Sequence, residues 1–292
     1  MYPRPLDYAA AKSLGEALEL LHGNDSDVKI LAGGQSLIPS LKSRTLVLNR
    51  LVDITGITEL DYIRKDEHSI KIGALTTTAK LTDDRTILSS LPILREAAVH
   101  IADPLVRNMG TIGGNLCHSD PANDLPAVML ALNATMVAAS QDETRRISAD
   151  SFFVDSYKTA LKPSEILTEI EIPLQTGRWG AVYRKVKKGS GGFSIAGVAS
   201  YLSIKEGGTI SDCRIAMTAV GPTALRAVKA EQSLKGKMLT APVLDNAAKM
   251  AVQASQPSSD VKASRDYRRK VLDMLVKDAV EASYRRAMEV RP

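Results

Sequence analysis

Cysteine and histidine are scarce in this sequence, and their scarcity limits what the chain can build by itself. Among 292 residues there are two cysteines, Cys117 and Cys213, and four histidines. The cysteines lie far apart and form no Cys-x-x-Cys pair, which argues against an iron–sulfur cluster, a structural zinc site or a disulfide framework on this chain alone. No two histidines have the His-x-x-x-His spacing of metal hydrolases. We therefore expect no metal site here.

Long apolar runs and aromatic residues are also lacking. The apolar runs fall far short of the roughly 20 residues that a membrane span needs, and the N-terminus has no apolar signal core. We therefore expect a cytoplasmic protein without a membrane span. Aromatic residues make up only 4% of the chain, and 38 basic residues are interleaved with 33 acidic ones. Despite a net charge of +5, this pattern does not predict nucleic-acid binding.

Two glycine-rich segments are the most informative feature that is present. The first glycine segment, residues 32–36, reads AGGQS, and the second glycine segment, residues 111–115, reads TIGGN. Each has a Gly-Gly pair and follows an apolar or extended run. Successive N–H groups in glycine turns form concavities that attract anions. Neither segment has the spacing of a Rossmann or P-loop motif. Together they predict a diphosphate held from two sides, and hence a dinucleotide such as FAD.

The pattern of apolar residues predicts an α+β protein with a change of architecture near residues 175–177. Before that point, helices are predicted at 13–23 and 92–102, a helix start at Thr76, and strands at 28–31, 46–54, 69–75, 134–139, 145–148 and 166–172. After it, strands are predicted at 181–186, 194–204 and 210–220, and helices at 223–234, 241–254 and 266–288. We expect domains at 1–176, with subdomains of about 1–55 and 56–176, and at 177–292.

Several polar residues allow two interpretations each. Asp124 precedes an apolar helix and is either its N-cap or a ligand contact. Lys185 either meets a phosphate or ring carbonyl or is a solvated strand residue. Phe193 either packs on a ring or fills the core. Cys117 and His118 are either a nucleophile–base pair or structural or ligand-lining residues, and adjacent side chains rarely face each other in a strand or turn.

The sequence resembles a known family at these motifs. Residues 32–39 (AGGQSLIP), 107–116 (RNMGTIGGNL) and 120–126 (DPANDLP) closely resemble the FAD-binding medium subunits of molybdenum hydroxylases, among them carbon monoxide dehydrogenase and prokaryotic aldehyde or N-heterocycle dehydrogenases. Residues 264–269 (SRDYRR) resemble the start of the last helix in that family. The resemblance covers essentially the whole chain.

The resemblance implies a fold and a set of cofactor contacts. The fold would be a vanillyl-alcohol-oxidase-type (PCMH) FAD-binding domain of two subdomains, followed by a flavoprotein C-terminal domain of antiparallel sheet plus helices. The backbone N–H groups of both glycine segments would hold the diphosphate, and Asp124 would reach ribityl or ribose hydroxyls. The implied contacts are Ala32, Gly33, Gly34, Gln35, Ser36, Thr76, Thr111, Gly113, Gly114, Asn115, Asp124, Leu167, Lys185 and Phe193. Where the family has a Gly-Asp-Tyr-like triplet, residues 191–193 read GGF, without the aspartate or the phenol.

The resemblance also implies the function. The chain would carry FAD and no catalytic residues, and it would take electrons from two [2Fe–2S] clusters on a small iron–sulfur subunit. A large subunit with the molybdenum cofactor would oxidise the substrate, and the complex would be a dimer of heterotrimers, a heterohexamer. A self-contained flavin-dependent oxidoreductase of the same fold and a scaffold subunit without FAD are the alternatives.

Overall fold

The N-terminal part of the chain is a small parallel sheet with a helix in each crossover. The computed structural model describes residues 2–21, 27–189 and 191–289. The first elements, in chain order, are β1 (Asp7–Ala10), α1 (Leu14–Leu21), β2 (Val28–Leu31), α2 (Leu37–Ser43) and β3 (Arg50–Asp53). The strand order is β1-β3-β2, and both pairs are parallel. Parallel neighbours need crossover connections, which α1 and α2 provide.

Helix α1 begins as its sequence predicts. The Glu16 N–H donates to Ser13 Oγ at 3.2 Å, as in a capping box, while the Glu16 carboxylate accepts from the Lys12 N–H at 2.7 Å. Gly23, predicted to follow the helix, lies outside the described residues.

The extended run predicted for 46–54 is only partly a strand. Residues 46–49 belong to no strand, and the strand is confined to β3. Leu48 is nevertheless buried, in a small cluster with Leu41 of α2 and Leu51 of β3. The apolar run therefore reflects burial of a loop and not strand pairing.

The middle part of the chain is an antiparallel sheet covered by short helices. After a 3-10 turn (Thr58–Leu60), its elements are β4 (Ile63–Lys65), β5 (Ser69–Gly73), α3 (Thr78–Asp83), α4 (Arg85–Ser90), α5 (Pro92–Ala98), α6 (Pro104–Met109), α7 (Ile112–His118), α8 (Leu125–Ala131), β6 (Thr135–Ala139), β7 (Thr144–Ser148), α9 (Ala149–Phe152), β8 (Phe153–Asp155), β9 (Lys158–Thr159) and β10 (Ile166–Pro173). The strand order is β4-β5-β10-β6-β7, and β8 pairs with β9. The strands predicted at 69–75, 134–139, 145–148 and 166–172 are confirmed to within two residues.

The C-terminal part is a second antiparallel sheet backed by helices. Its elements are β11 (Arg178–Lys187), β12 (Ser194–Ile204), β13 (Ile210–Thr218), β14 (Leu225–Arg226), α10 (Val228–Leu234), α11 (Ala241–Ala254) and α12 (Arg265–Glu289). The strand order is β11-β12-β13-β14. Gly207 and Gly208, with φ of +87° and +86°, form the turn between β12 and β13, as predicted. The helix predicted at 223–234 begins only at Val228, because residues 225–226 pair with β13 as an edge strand.

Both faces of the C-terminal sheet are buried, and this joins it to the middle part of the chain. Alternate residues of β12 belong to different clusters: Val198 and Leu202 pack with α10, α11 and α12, while Ala199 and Tyr201 pack with α5, α8 and the middle sheet. A strand covered on both faces shows no polar alternation, which agrees with the apolar sequence of β12. The α+β class is thus confirmed. Among the described residues, no helix is long and apolar enough to cross a membrane.

Candidate functional site

The first glycine segment turns the chain from the end of β2 into α2. Gly34 adopts φ of +71°, which glycine tolerates and most other residues do not. The four successive amide N–H groups of residues 33–36 donate no hydrogen bond within the described part of the chain. The Gln35 side-chain amide donates to the Gly33 carbonyl at 3.3 Å. Four unused donors in succession are what an anion-binding concavity requires.

The second glycine segment forms the first turn of α7. Its two glycines instead predict a non-helical turn. Thr111 is the N-cap, and its Oγ1 accepts from the Gly114 N–H at 3.1 Å. The N–H groups of Ile112 and Gly113 donate to the carbonyls of Thr76 and Ala74, both at 2.9 Å, and that of Asn115 donates to the Thr111 carbonyl at 3.0 Å. The segment is thereby tied to residues 74–76.

These bonds change what the second segment can offer a ligand. The amides of residues 112–115 already donate within the chain, so the amides without an acceptor lie mainly in the first glycine segment. The Thr111 N–H has no acceptor among the described residues. Asn115 Oδ1 is buried and has no hydrogen-bond partner in the described ranges of the chain. Such an oxygen calls for a donor, and a ligand hydroxyl would satisfy it.

The two glycine segments lie against each other. A Cβ atom at position 33 would lie 2.6 Å from the Gly110 Cα, and one at position 114 would lie 3.8 Å from the Ala32 Cβ. The unused amides of residues 33–36 and the buried Asn115 oxygen therefore belong to one region of the molecule. Gly33 and Gly114 have no positive φ, so close approach is the reason for glycine at both positions.

Thr76 and Leu167 lie in the core beside this region. Thr76 is fully buried; its hydroxyl donates to the Tyr62 carbonyl at 2.9 Å, and its own carbonyl accepts from Ile112. Leu167 is buried on β10, opposite Ala138. The Thr76 carbonyl thus holds the second glycine segment in place, while its hydroxyl is bonded to Tyr62.

Asp124 is the centre of a buried hydrogen-bond network. It lies at the N-cap position of α8, but its side chain caps no helix N–H, so the capping interpretation is wrong. Asp124 Oδ1 accepts from the Tyr183 hydroxyl at 2.5 Å and from Ser194 Oγ at 2.7 Å, and Oδ2 accepts from Lys185 Nζ at 2.8 Å. We refer to these four residues as the Asp124 network.

Lys185 is buried, so its interpretation as a solvated strand residue is also wrong. Its side chain is 2% exposed and that of Asp124 is 5% exposed. Lys185 Nζ also lies 3.4 Å from the His100 carbonyl oxygen. Burial lowers the pKa of His100, and the charges of Lys185 and Lys187 lower it further. Burial also raises the pKa of Tyr183 far above its ordinary value, and the Asp124 charge adds to this effect, so the phenol is the hydrogen-bond donor.

Phe193 does not fill the core. It is 47% exposed, and Lys262 Nζ lies 4.7 Å from the centre of its ring. Nearby Gly191 adopts φ of +68°, and a Cβ atom there would lie 3.4 Å from the Ala102 backbone. An exposed aromatic ring on a glycine-rich turn remains accessible to a ligand.

Cys117 and His118 show no arrangement for nucleophilic chemistry. Burial raises the pKa of the Cys117 thiol to about 12, which keeps it protonated and unreactive at neutral pH. The His118 ring packs near the Tyr157 ring, with 5.2 Å between centroids. Among the described residues, no group of three or more His, Cys, Asp and Glu side chains could hold a metal ion.

Tyr183 and Ser194 were not predicted from the sequence. One signal was available for Tyr183: it lies two residues from Lys185 on a strand, and such residues point to the same face. Ser194 gave no local signal, because it reaches Asp124 across 70 residues of sequence.

Comparisons with known proteins find matches over nearly the whole chain. Residues 4–175 match the model of the FAD-binding domain in molybdopterin dehydrogenase, and residues 181–283 match that of the CO dehydrogenase flavoprotein C-terminal domain. The chain is 40% identical over 286 residues to the carbon monoxide dehydrogenase medium chain of Hydrogenophaga pseudoflava, covering 98% of this chain and 99% of the relative. It is 38% identical to the glyceraldehyde dehydrogenase medium chain of Sulfolobus acidocaldarius, covering 96% and 98%.

A solved structure is similar over the same length. The structure of the H. pseudoflava carbon monoxide dehydrogenase lacking the Mo-pyranopterin moiety of its molybdenum cofactor matches with a TM-score of 0.95 at 41% identity. The match covers 98% of this chain and 99% of that one.

Proposed function

Because this chain belongs to the family of FAD-binding medium subunits of molybdopterin-containing dehydrogenases, we propose that it is the FAD-carrying electron-transfer subunit of a molybdenum-containing dehydrogenase complex. FAD, when bound, supplies the redox chemistry of this subunit. The chain itself binds the cofactor, orients it and sets the charges around it.

The residues present fit FAD at the contact between the glycine segments. The observation that carries this proposal is the run of four amides at residues 33–36 beside the buried oxygen of Asn115, all of them without a hydrogen-bond partner among the residues that the structure describes. The amides suit a diphosphate, and the amide oxygen suits a ribityl or ribose hydroxyl. We propose as the FAD-binding residues Ala32, Gly33, Gly34, Gln35, Ser36, Thr76, Thr111, Gly113, Gly114, Asn115, Asp124, Leu167, Lys185 and Phe193.

Within this site, Lys185 supplies a buried positive charge. Its ammonium group is held by Asp124 at 2.8 Å and keeps at least one N–H beyond the bonds to Asp124 and His100. A cation at the flavin ring would stabilise the negative charge that arrives with electrons. Thr76 acts through its carbonyl, by fixing Ile112 at the start of α7.

We propose that the other cofactors lie on partner subunits. A small subunit would carry two [2Fe–2S] clusters and a large subunit the molybdenum cofactor, and the complex would be a cytoplasmic dimer of heterotrimers. The two cysteines of this chain, both without a disulfide and one of them fully buried, support placing the clusters elsewhere. The relatives named above act on different substrates, carbon monoxide and glyceraldehyde, with medium chains of one family. Substrate choice therefore belongs to the large subunit.

We further propose that the chain divides into an FAD-binding domain at 1–176, with subdomains of about 1–55 and 56–176, and a C-terminal domain at 177–292. The ranges of the two family models, 4–175 and 181–283, support this division. The sheet of the C-terminal part begins at Arg178.

The test is the cofactor content of the natively purified complex. Flavin is released by acid and identified as FAD, and iron and molybdenum are measured by elemental analysis. We expect FAD with this chain, and iron and molybdenum with co-purifying subunits. FAD on a stable single chain without the metals would contradict the electron-transfer role, and a flavin-free complex would contradict the cofactor.

A matched pair of variants tests the placement. Gly34 and Gly177 both adopt positive φ, +71° and +74°, but only Gly34 lies in the site, and a Cβ atom at position 177 meets nothing within 4 Å. Gly34→Ala is expected to lose FAD, whereas Gly177→Ala is expected to retain it. Equal FAD content in the two variants would overturn the placement.

A further inference from the structure

We propose that Tyr183 is a positioning residue: through its hydrogen bond to Asp124 it holds the Lys185 ammonium group in place and so helps to set the reduction potential of the flavin. This inference rests on the proposed function and extends it to a residue outside the proposed cofactor contacts. The Asp124 network brings together the N-cap residue of α8, Tyr183 and Lys185 of β11, and Ser194 of β12.

The two oxygens of the Asp124 carboxylate bind different kinds of donor. Asp124 Oδ1 accepts from the two neutral hydroxyls of Tyr183 and Ser194, at 2.5 and 2.7 Å, whereas Oδ2 accepts from Lys185 at 2.8 Å. The hydroxyls fix the rotation of the carboxylate, and the carboxylate fixes the ammonium group. A buried charge with this many oriented donors has little freedom to move.

Tyr183 is itself held at both ends. At its hydroxyl end, the absence of a side chain at position 197 makes room: a Cβ atom on Gly197 would lie 2.6 Å from the Tyr183 hydroxyl oxygen. At its backbone end, the Tyr183 N–H donates to Glu96 Oε2 at 3.0 Å, and Arg286 holds the other oxygen of Glu96 at 2.5 Å. The Tyr183 hydroxyl therefore has a fixed position from which it donates to Asp124.

The removal of this hydroxyl has a defined electrostatic consequence. Without it, Asp124 Oδ1 loses a donor that disperses its negative charge, so the carboxylate opposes the Lys185 charge more strongly. The positive potential that Lys185 provides at the flavin then falls. Because reduction adds electrons, a weaker positive potential makes reduction harder. Tyr183→Phe should lower the reduction potential, while the ring that remains preserves the packing.

The experiment measures the flavin reduction potential in the assembled complex. Tyr183→Phe is compared with Tyr201→Phe in a dye-equilibrated reductive titration, with flavin absorbance followed against the same complex freed of flavin. Tyr201 is the matched control, because it is a buried tyrosine on the adjacent strand that stacks on Trp179, with 6.1 Å between centroids, outside the Asp124 network. We expect full FAD content in both variants and a lower potential in Tyr183→Phe alone.

The outcomes separate this inference from the proposed function. A wild-type complex without flavin overturns the proposed function and the inference with it. A Tyr183→Phe complex with full FAD and the wild-type potential overturns the inference alone. If Tyr183→Phe does not fold, Ser194→Ala removes the other hydroxyl from the same oxygen; a lower potential there supports the positioning role of the network, and an unchanged potential overturns it.

Discussion

Gly33 lies against the backbone of Met109 so closely that a Cβ atom at position 33 would stand 2.2 Å from the Met109 carbonyl oxygen. Real Cβ atoms do not approach a carbonyl oxygen to this distance, so glycine is required here for space and not for its torsion angles. The contact brings the end of the parallel sheet against the residue pair that leads into α7. The geometry of the candidate site thus depends on a backbone contact between two parts of the fold.

This contact makes Gly33→Ala a sensitive test of the site. The added methyl group must push the two backbone segments apart, and overpacking of this kind costs about 1–3 kcal/mol. We expect a loss of FAD together with that loss of stability, measured by acid-released flavin and by urea unfolding. Gly56→Ala is the control, because a Cβ atom there meets its nearest neighbour at 3.9 Å. Normal FAD content in Gly33→Ala would show that the segments need not touch.

A second prediction separates helix capping from the burial of charge. Asp103 accepts from the Val106 N–H at 2.9 Å and is a true N-cap of α6, whereas Asp124 at the start of α8 binds Lys185 instead. Asp103→Ala should cost about 0.5–2 kcal/mol, as caps do. Asp124→Ala leaves the Lys185 ammonium buried without its counter-charge, and should cost about 3–5 kcal/mol.

Urea unfolding of the two purified variants measures this difference, and acid-released flavin reports on the site. We expect FAD to be lost only from Asp124→Ala. Similar unfolding free energies for the two variants would mean that the Asp124–Lys185 pair contributes no more than a cap.

The sequence predicts the glycine segments, most strands and the family, but not how the site is assembled. The match to both family models confirms the resemblance. The start of α7 was not predictable, because glycine disfavours helix by about 1 kcal/mol per residue, and bonds from residues 74–76 offset this cost. The Asp124 network could not be predicted either, since its hydrogen bonds join residues that lie 59, 61 and 70 positions apart in the sequence. Local patterns report on propensity and periodicity, whereas these contacts depend on the packing of two sheets.

A third prediction concerns the reactivity of Cys117. Burial raises the pKa of its thiol from 9.0 to about 12, and burial also raises the pKa of Cys213. At pH 8 the folded chain should show no rapidly reacting thiol toward DTNB, and both thiols should react after denaturation. Rapid labelling of Cys117 in the folded chain would contradict the raised pKa of its thiol.

The same shift predicts a pH dependence of stability. Between pH 9 and about 12 the Cys117 thiol ionises in the unfolded chain but stays protonated in the folded one. The unfolded state then binds fewer protons, so the free energy of unfolding falls as the pH rises through this window. The contribution is fully present below pH 9. Cys117→Ala should show a shallower decline in urea unfolding across the window, and an identical decline would contradict the assignment.

Arg268 ties the C-terminal helix to the strands that carry the Asp124 network. Its guanidinium group, 5% exposed, donates to the carbonyls of Ile195 and Ala219 at 2.5 and 3.2 Å and pairs with Asp260 at 2.8 Å. Ile195 follows Ser194, which binds Asp124. The Ala219 N–H donates to the Pro121 carbonyl at 2.8 Å. Arg268 is therefore connected, through these two backbone positions, to the segment before α8.

Arg268→Gln should therefore destabilise the chain by about 1–3 kcal/mol for each of the two carbonyls that it leaves without a donor, whereas Asp260, 42% exposed, keeps its bonds from the N–H groups of Lys262 and Ala263. The neighbouring Arg269 on α12 is exposed, and Arg269→Gln should change stability by no more than about 0.5 kcal/mol. Urea unfolding measures both effects, and acid-released flavin shows whether the loss reaches the cofactor site. Since Arg268 acts through the backbone beside Ser194, we expect FAD affinity to fall in Arg268→Gln and not in Arg269→Gln. Equal unfolding free energies in the two variants would mean that solvent or a neighbouring group replaces the buried guanidinium, and that the strands hold their positions without it.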